Sequence, residues 1–373
     1  MRATAKRTYI KSKTPRKNPQ EKPPKKIETY EKPPASIVID ILGGDNAPGA
    51  IIDGVILAGD LMPELTFVLV GDQKVIKPKI ASAGMTERVE IVHTTENIGF
   101  DETPTSVKSR PTSSIAMAFD ALRVRKDVGA FVSAGNTGAV LAGAVLKLGR
   151  VPGVARPGMC PLMPTKIPGQ KFITIDVGAN MDCRPLHLLH FAIMGAEYMK
   201  SRGVKNPRVA LVNVGTEDTK GNELTLDAFK MLQKTDLNFV GNMEAREAFS
   251  GNYDVIVCDG FVGNILLKTA EGVFTLFGKK LRGALTATTS AKIGALLVKK
   301  GLEEIKKEFS HDEVGGSLFL GTKKPVVKAH GSSGAYAFFR AIMLAVEAMS
   351  ADLCTNIEAA IARNKHAGEY AGE

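Results

Sequence analysis

The chain has 373 residues, 44 % of them apolar, with 37 glycines and no tryptophan, which suits one large or two medium globular domains and excludes fibrous or disordered classes. Its four cysteines (Cys160, Cys183, Cys258 and Cys354) are scattered with no C-x2-C pair, which argues against structural zinc and against a disulfide scaffold. The net charge of +10 is concentrated at one end: residues 1–35 carry eleven Lys or Arg against three Glu, leaving about +2 for the remainder.

That first segment also holds six prolines and few apolar residues, so it is expected to be a basic, disordered tail. A solubilising extension, a contact for nucleic acid or anionic lipid, and a transit peptide stay open for it. From Ser36 the pattern becomes regular. Short Val- and Ile-rich runs end in glycine and lead into helical periodicity: "SIVIDILGG", "LTFVLVG", "RVEIVH", "GAFVSAG", "KFITIDVG", "PRVALVNVG", "LNFVG" and "YDVIVCDG". Runs of this kind read as strands buried on both faces, and their alternation with helices predicts an α/β fold with a largely parallel sheet. Right-handed crossovers then place the strand carboxyl ends together at one edge.

A Pro- and Gly-rich break at 150–171 divides a single body, 36–360, into subunits of about 36–150 and 171–350. Residues 262–309 read as mostly helical and Lys-rich, with Lys279, Lys280, Lys299, Lys300, Lys306 and Lys307 forming a candidate docking patch or simply a solvated face. An apolar last helix follows "HGSSG", and 361–373 form a polar end. The longest uncharged stretch, 128–146, contains a Gly-Asn turn and reads as strand, turn and helix, not as a membrane span.

The unusual residues sit where strands end. "DILGGDNAPG" offers Asp45 beside two glycines, but it lacks the spacing of a dinucleotide or P-loop fingerprint. "VSAGNTGAV" offers Ser133, Asn136 and Thr137, small residues that let backbone N–H groups face an anion. "DVGAN" offers Asp176 and Asn180, and "NVGTEDTKGNE" offers Asp218, Lys220 and Asn222; a lysine there can neutralise phosphate or an oxyanion. "VCDGFVGNILLK" offers Asp259 and Asn264, whose amide can hold an oxygen without changing charge. "KAHGSSGA" offers His330 and Ser332, with a structural and a site role both open for the histidine. His187 and His190 lie three apart on a helix after Pro185, yet no further ligand stands at coordinating spacing, so no metal is expected. Cys258 reads as a packed strand residue, while Cys183 beside Arg184 is the one thiol whose setting invites a nucleophilic reading. No serine-hydrolase elbow or zinc-hydrolase motif appears. Several polar turns at one sheet edge point to a phosphate-rich or strongly polar ligand without identifying the reaction, and leave catalysis by positioning and charge stabilisation as the simpler expectation.

From Ile37 to about residue 350 the blocks "DILGGDNAP", "SAGNTGAVLAGA", "ARPGMCPLMPT", "IDVGANMDCRP", "PRVALVNVGTEDTKGNELT", "VCDGFVGNILLKTAEG" and "VKAHGSSG", in this order, closely resemble the bacterial phosphate acyltransferases of phospholipid synthesis. The resemblance implies an α/β/α sandwich related to phosphotransacetylases and the isocitrate/isopropylmalate dehydrogenases. It implies a cofactor-free homodimer in the cytoplasm, peripherally bound to the inner face of the membrane. Its reaction would convert acyl carrier protein (ACP) thioester and inorganic phosphate into acyl phosphate for a membrane glycerol-3-phosphate acyltransferase. It also implies that Lys220 and Asn264 stand nearest the reacting centre. The turns bearing Asn136, Asn180 and His330 would form the surrounding wall, and the other turn residues named above bind substrate or phosphate. The family's "DAMGGD" is "DILGGD" here, and the basic tail falls outside the family pattern, so no nucleic-acid role is expected of the body. A phosphotransacetylase using acyl-CoA is the alternative.

Overall fold

The computed structural model describes residues 36–309 and 311–368; the basic segment 1–35 and the last five residues of the polar end lie outside them. Eleven strands form one continuous sheet: β1 Ser36–Asp40, β2 Phe67–Gly71, β3 Val89–His93, β4 Val128–Ser133, β5 Gly158–Pro164, β6 Lys171–Ile175, β7 Val209–Asn213, β8 Phe239–Glu244, β9 Val255–Val257, β10 Gly316–Leu320 and β11 Val326–Ala329. Their order is β3-β2-β1-β4-β11-β10-β5-β6-β9-β7-β8. Most neighbours are parallel; β10 against β11, β10 against β5, and β5 against β6 are antiparallel.

Those three pairings correct one expectation. β1, β4 and β11 run one way while β6, β9 and β7 run the other, so the strand carboxyl ends form two rims at opposite edges of the sheet. β5 is the hinge of this reversal, and it lies inside the Pro-rich segment that reads as a break. Its residues Gly158–Pro161 pair with β10 and Leu162–Pro164 pair with β6. Pro161 therefore sits where the strand changes partners, a position that tolerates a missing N–H.

Alternation decides the layers. On one face Ile37, Ile39, Val132, Ile173, Ile175, Val209 and Val257 join a single core with the helices Gly49–Leu61, Pro185–Ser201 and Ala335–Ser350. On the other face two separate cores form. Val38, Phe131 and Phe319 pack under the helix Ser114–Val124, whereas Phe172, Ala210 and Ile256 pack with Phe249 and Leu266. Met159 of β5 and Ala179, just after β6, lean on the first of these cores. The result is a three-layer α/β/α sandwich.

The Lys-rich segment is a helical pair, Gly260–Thr286 and Thr289–Glu308, that leaves the body. In the first helix only Gly260 and Gly263 are buried. Val273, Leu276, Phe277, Leu296 and Leu297 are all exposed, a larger apolar surface than a solvated helix carries. No helix among the described residues is long and apolar enough to cross a membrane.

Candidate active site

The rim formed by β1, β4 and β11 is a set of interlocked turns. The Asp45 N–H donates to Gly331 O (2.8 Å), and the Asn46 amide donates to Ser332 O and Ser333 O (2.9 and 3.3 Å). Gly43 has no room for a side chain: a Cβ there would stand 2.4 Å from the Asp40 carboxylate and 2.5 Å from the Gly135 nitrogen. Ser133 Oγ is committed to the buried Asp40 carboxylate (2.7 Å). Asn136 caps the helix Thr137–Gly143 by accepting from the Ala139 N–H, and its amide donates to the carbonyls of Gly99, Phe100 and Glu102. Asp45, Thr137, His330 and Ser332 are exposed on this rim, with His330 Nδ1 2.8 Å from Ser332 Oγ.

Beneath these turns lies Lys328, only 8 % exposed, donating to Ala134 O (3.2 Å) and to Ala329 O. Burial pushes its ammonium down to about 8, against the opposing pull of Asp40 and Asp45. Asp40 and Lys328 belong to the strand-end stretches "DILGGDNAPG" and "KAHGSSGA" singled out in the sequence, but neither is assigned a site role there. The available signal was a charged residue on the inward-facing side of a strand end, in "IVID" and "VVKA".

The opposite rim collects the ends of β6, β9 and β7, which pair in register at Ile175, Val257 and Leu211. Asp176 organises it. Its carboxylate is buried and accepts the N–H groups of Met159, Gly178, Ala179 and Asn180, together with the Asn180 side-chain amide, at 2.6–3.2 Å. Burial raises the pKa of this carboxyl, and the donated hydrogen bonds oppose that rise. Asn180 also donates to Pro157 O (2.7 Å) and accepts from the Gly260 N–H (2.8 Å) through its carbonyl. The helix Gly260–Thr286, capped by Asp259 through the Val262 N–H, presses onto this turn so closely that a Cβ at Gly263 would stand 1.9 Å from Asp176 O. Asn264 is the exposed residue that results; a Cβ at Gly178 would lie 3.8 Å from its Oδ1.

Lys220 stands in the exposed loop after β7. The loop is shaped by its backbone: the Lys220 N–H donates to Glu217 O, and Asn213 and Asn242 donate to Lys220 O and Glu217 O. Asn222 is occupied in capping the helix Glu223–Leu232 with Thr225, and Asp218 is exposed. Among the described residues the Lys220 ammonium makes no ion pair and the Asn264 amide no hydrogen bond. Both side chains are thus free to meet a ligand.

The thiols are not poised for attack. Cys183 is pushed up to about 12 by burial and by the charges of Asp176 and Asp259, and Cys258 is raised by burial in the same surroundings. His187 and His190 serve the fold: each Nδ1 accepts a backbone N–H, from Arg184 and from Ala155, both at 3.1 Å. Burial holds both rings at about 4, below the ordinary 6.5, so they stay neutral. The unfolded chain takes up these protons first. Stability from this pair is therefore present above about pH 6.5 and lost as the pH falls toward about 4. The double variant His187→Gln/His190→Gln should flatten that part of a Tm-against-pH curve; an unchanged acid slope would refute the assignment.

A family model described as "Fatty acid synthesis protein" matches residues 35–356. The phosphate acyltransferase of Geobacillus sp. (strain WCH70) is 43 % identical over 331 residues, covering 88 % of this chain and 99 % of that protein. That of Bacillus subtilis (strain 168) is 41 % identical over 333 residues, 88 % and 98 % of the two chains. The chain belongs to the phosphate acyltransferase family. It is an acyltransferase, as its family membership requires, and the resemblance read from its turn motifs holds. A phosphotransacetylase from Streptococcus pyogenes superposes with a TM-score of 0.56 at 14 % identity, over 84 % of this chain and 94 % of that one. The EutD phosphotransacetylase from Staphylococcus aureus gives 0.53 at 14 %, over 85 % and 94 %. These likenesses show the shared fold.

Proposed function

We propose that the enzyme moves the acyl group of acyl-ACP onto inorganic phosphate. A phosphate oxygen attacks the thioester carbonyl carbon, the new C–O bond forms, the C–S bond breaks, and ACP leaves as a thiolate that takes a proton from water. Acyl phosphate passes to a membrane glycerol-3-phosphate acyltransferase. The observation that carries this reading is the pair Lys220 and Asn264, two side chains on one rim that hold no part of the fold. The ammonium neutralises the phosphate dianion, and the amide donates to the carbonyl oxygen as it becomes an oxyanion. Phosphate is already a nucleophile and a thioester is already activated, so neither Cys183 nor Cys258 is required. Asp45, Thr137, His330 and Ser332 stand on the rim at the opposite edge of the sheet and are given no part in holding the reacting groups. Asp176, Asn180, Ser133, Asn136 and Asn222 would act through the turns they hold.

Release of ACP from acyl-ACP with and without phosphate, with acyl phosphate trapped by hydroxylamine, tests the reaction; release indifferent to phosphate would sink it. Acyl-CoA run in parallel decides between this donor and the alternative that the shared fold also admits.

A cytoplasmic homodimer touching the inner membrane face completes the proposal. The exposed apolar face of the helical pair supports self-association, and the exposed Lys279, Lys280, Lys299, Lys300 and Lys306 suit acidic ACP or anionic lipid. Phe277→Glu is expected to convert a dimer to a monomer in light scattering and to leave flotation with anionic vesicles driven by the lysines. A monomeric wild type, or no flotation on anionic vesicles, would count against the respective part.

A further inference from the structure

Lys220 ends a tight turn, its N–H donating to Glu217 O (3.1 Å). The carbonyls at both ends of that turn are held by asparagine amides. Asn213, the last residue of β7, donates to Lys220 O (2.9 Å), and Asn242 of β8 donates to Glu217 O (2.9 Å). Glycines leave the room these contacts need. A Cβ at Gly221 would stand 2.6 Å from Asn213 Oδ1 and 2.8 Å from its Nδ2. A Cβ at Gly215 would stand 3.1 Å from Lys220 Cγ, so the stem of the lysine runs over that glycine.

Asn242 reaches the turn through a bulge in β8. Val209 pairs with Phe239 but Leu211 pairs with Asn242, so β8 carries one extra residue between these pairs. Gly241 takes it up at φ +94°, and a Cβ there would meet nothing within 4 Å. Backbone conformation, not crowding, asks for this glycine. Phe239 and Leu211 face the continuous core under the helix Glu223–Leu232, and the slip brings Asn242 to that same face. Regular alternation from Phe239 would have turned it to the other side.

Asn242 is only 5 % exposed, and among the described residues nothing donates to its Oδ1. A buried acceptor without a donor destabilises the fold, and an apolar side chain on this face would carry no such penalty. Stability is therefore a poor account of why an asparagine stands here.

We propose that Asn213 and Asn242 are positioning residues for Lys220: by fixing the two end carbonyls of its turn, they hold the ammonium where it meets phosphate. Neither touches the reacting atoms. A lysine on a loose loop would lose more freedom on meeting the anion, and a turn held beforehand reduces that loss. The inference rests on the reading that Lys220 meets phosphate, and substitution of Lys220 itself tests that reading separately.

The full-length wild type, Asn242→Ala, Asn213→Ala, Lys220→Ala and the double variant Lys220→Ala/Asn242→Ala are assayed for phosphate-dependent ACP release. Each asparagine variant should raise the KM for phosphate about tenfold and change the KM for acyl-ACP less than about twofold. Melting temperatures should stay near that of wild type, and hydrogen exchange at the Lys220 amide should quicken in Asn242→Ala. In the Lys220→Ala background, Asn242→Ala should bring less than about twofold further loss. A folded asparagine variant with a wild-type KM for phosphate overturns the proposal; if Lys220→Ala is impaired at the same time, the reading of Lys220 still stands. The full loss repeated in the double variant also overturns it, since Asn242 would then act without Lys220. So do equal rises in both KM values together with a lower melting temperature. Wild-type turnover in Lys220→Ala would sink the reading of Lys220, and the positioning role with it. Should Asn242→Ala fail to fold, Asn213→Ala releases the other end of the same turn and decides on the same readouts.

Discussion

Lys220→Ala and Asn264→Ala are each expected to lower phosphate-dependent release of ACP about a hundredfold, the effect of removing one group that meets developing charge, roughly 3 kcal/mol. Both side chains are exposed, and their loops are held by other atoms: the Lys220 loop by its own backbone with Asn213 and Asn242, the Asn264 turn by Asp259 and the packed glycines. Melting temperature should therefore stay near that of wild type. The kinetic signatures should differ. An amide that meets only the oxyanion acts in the transition state, so Asn264→Ala should lower kcat with little change in either KM. An ammonium that meets phosphate in both states should, when lost, also raise the KM for phosphate. Asn264→Asp replaces the donor with a negative charge and should be the more damaging of the two substitutions at that position. Wild-type turnover in either alanine variant would remove that residue from the mechanism.

The strands that could be read are those with uninterrupted Val and Ile closed by glycine, such as "KFITI" and "YDVIV". β5, β10 and β11 escaped because prolines, a serine and a lysine break their apolar runs, yet these strands reverse the sheet's polarity. Periodicity reports which residues are buried and carries no sign of strand direction, so two rims read as one. The site was legible as a set of turns and illegible as a set of roles. Ser133, Asn136 and Asn180 carry the same letters whether they face a ligand or a backbone carbonyl, and here each is taken up by the frame. Lys220 and Asn264 differ from them only in having nothing to hold.

Asp176→Asn is expected to damage fold and activity together, in contrast to the Lys220 and Asn264 variants. Three backbone N–H groups converge on Oδ1 of Asp176, and the Asn180 N–H and side-chain amide converge on Oδ2. An asparagine places an NH2 group at one of these oxygens, so whichever way it turns, at least two buried donors face a donor. Each unsatisfied buried group costs about 1–3 kcal/mol, and a net loss of about 3 kcal/mol or more is expected in denaturant unfolding. The same substitution frees the carbonyl of Asp176 and the backbone of Asn180 from their contacts with Gly263 and Gly260, so the start of the helix that presents Asn264 loses its seat. Turnover should fall at least as far as in Asn264→Ala, with added amide exchange at Gly178, Ala179 and Asn180. A variant as stable as wild type, with slow exchange at those amides, would show that the carboxylate does not hold the turn. Normal stability with lost activity would instead move Asp176 from the frame to the substrate.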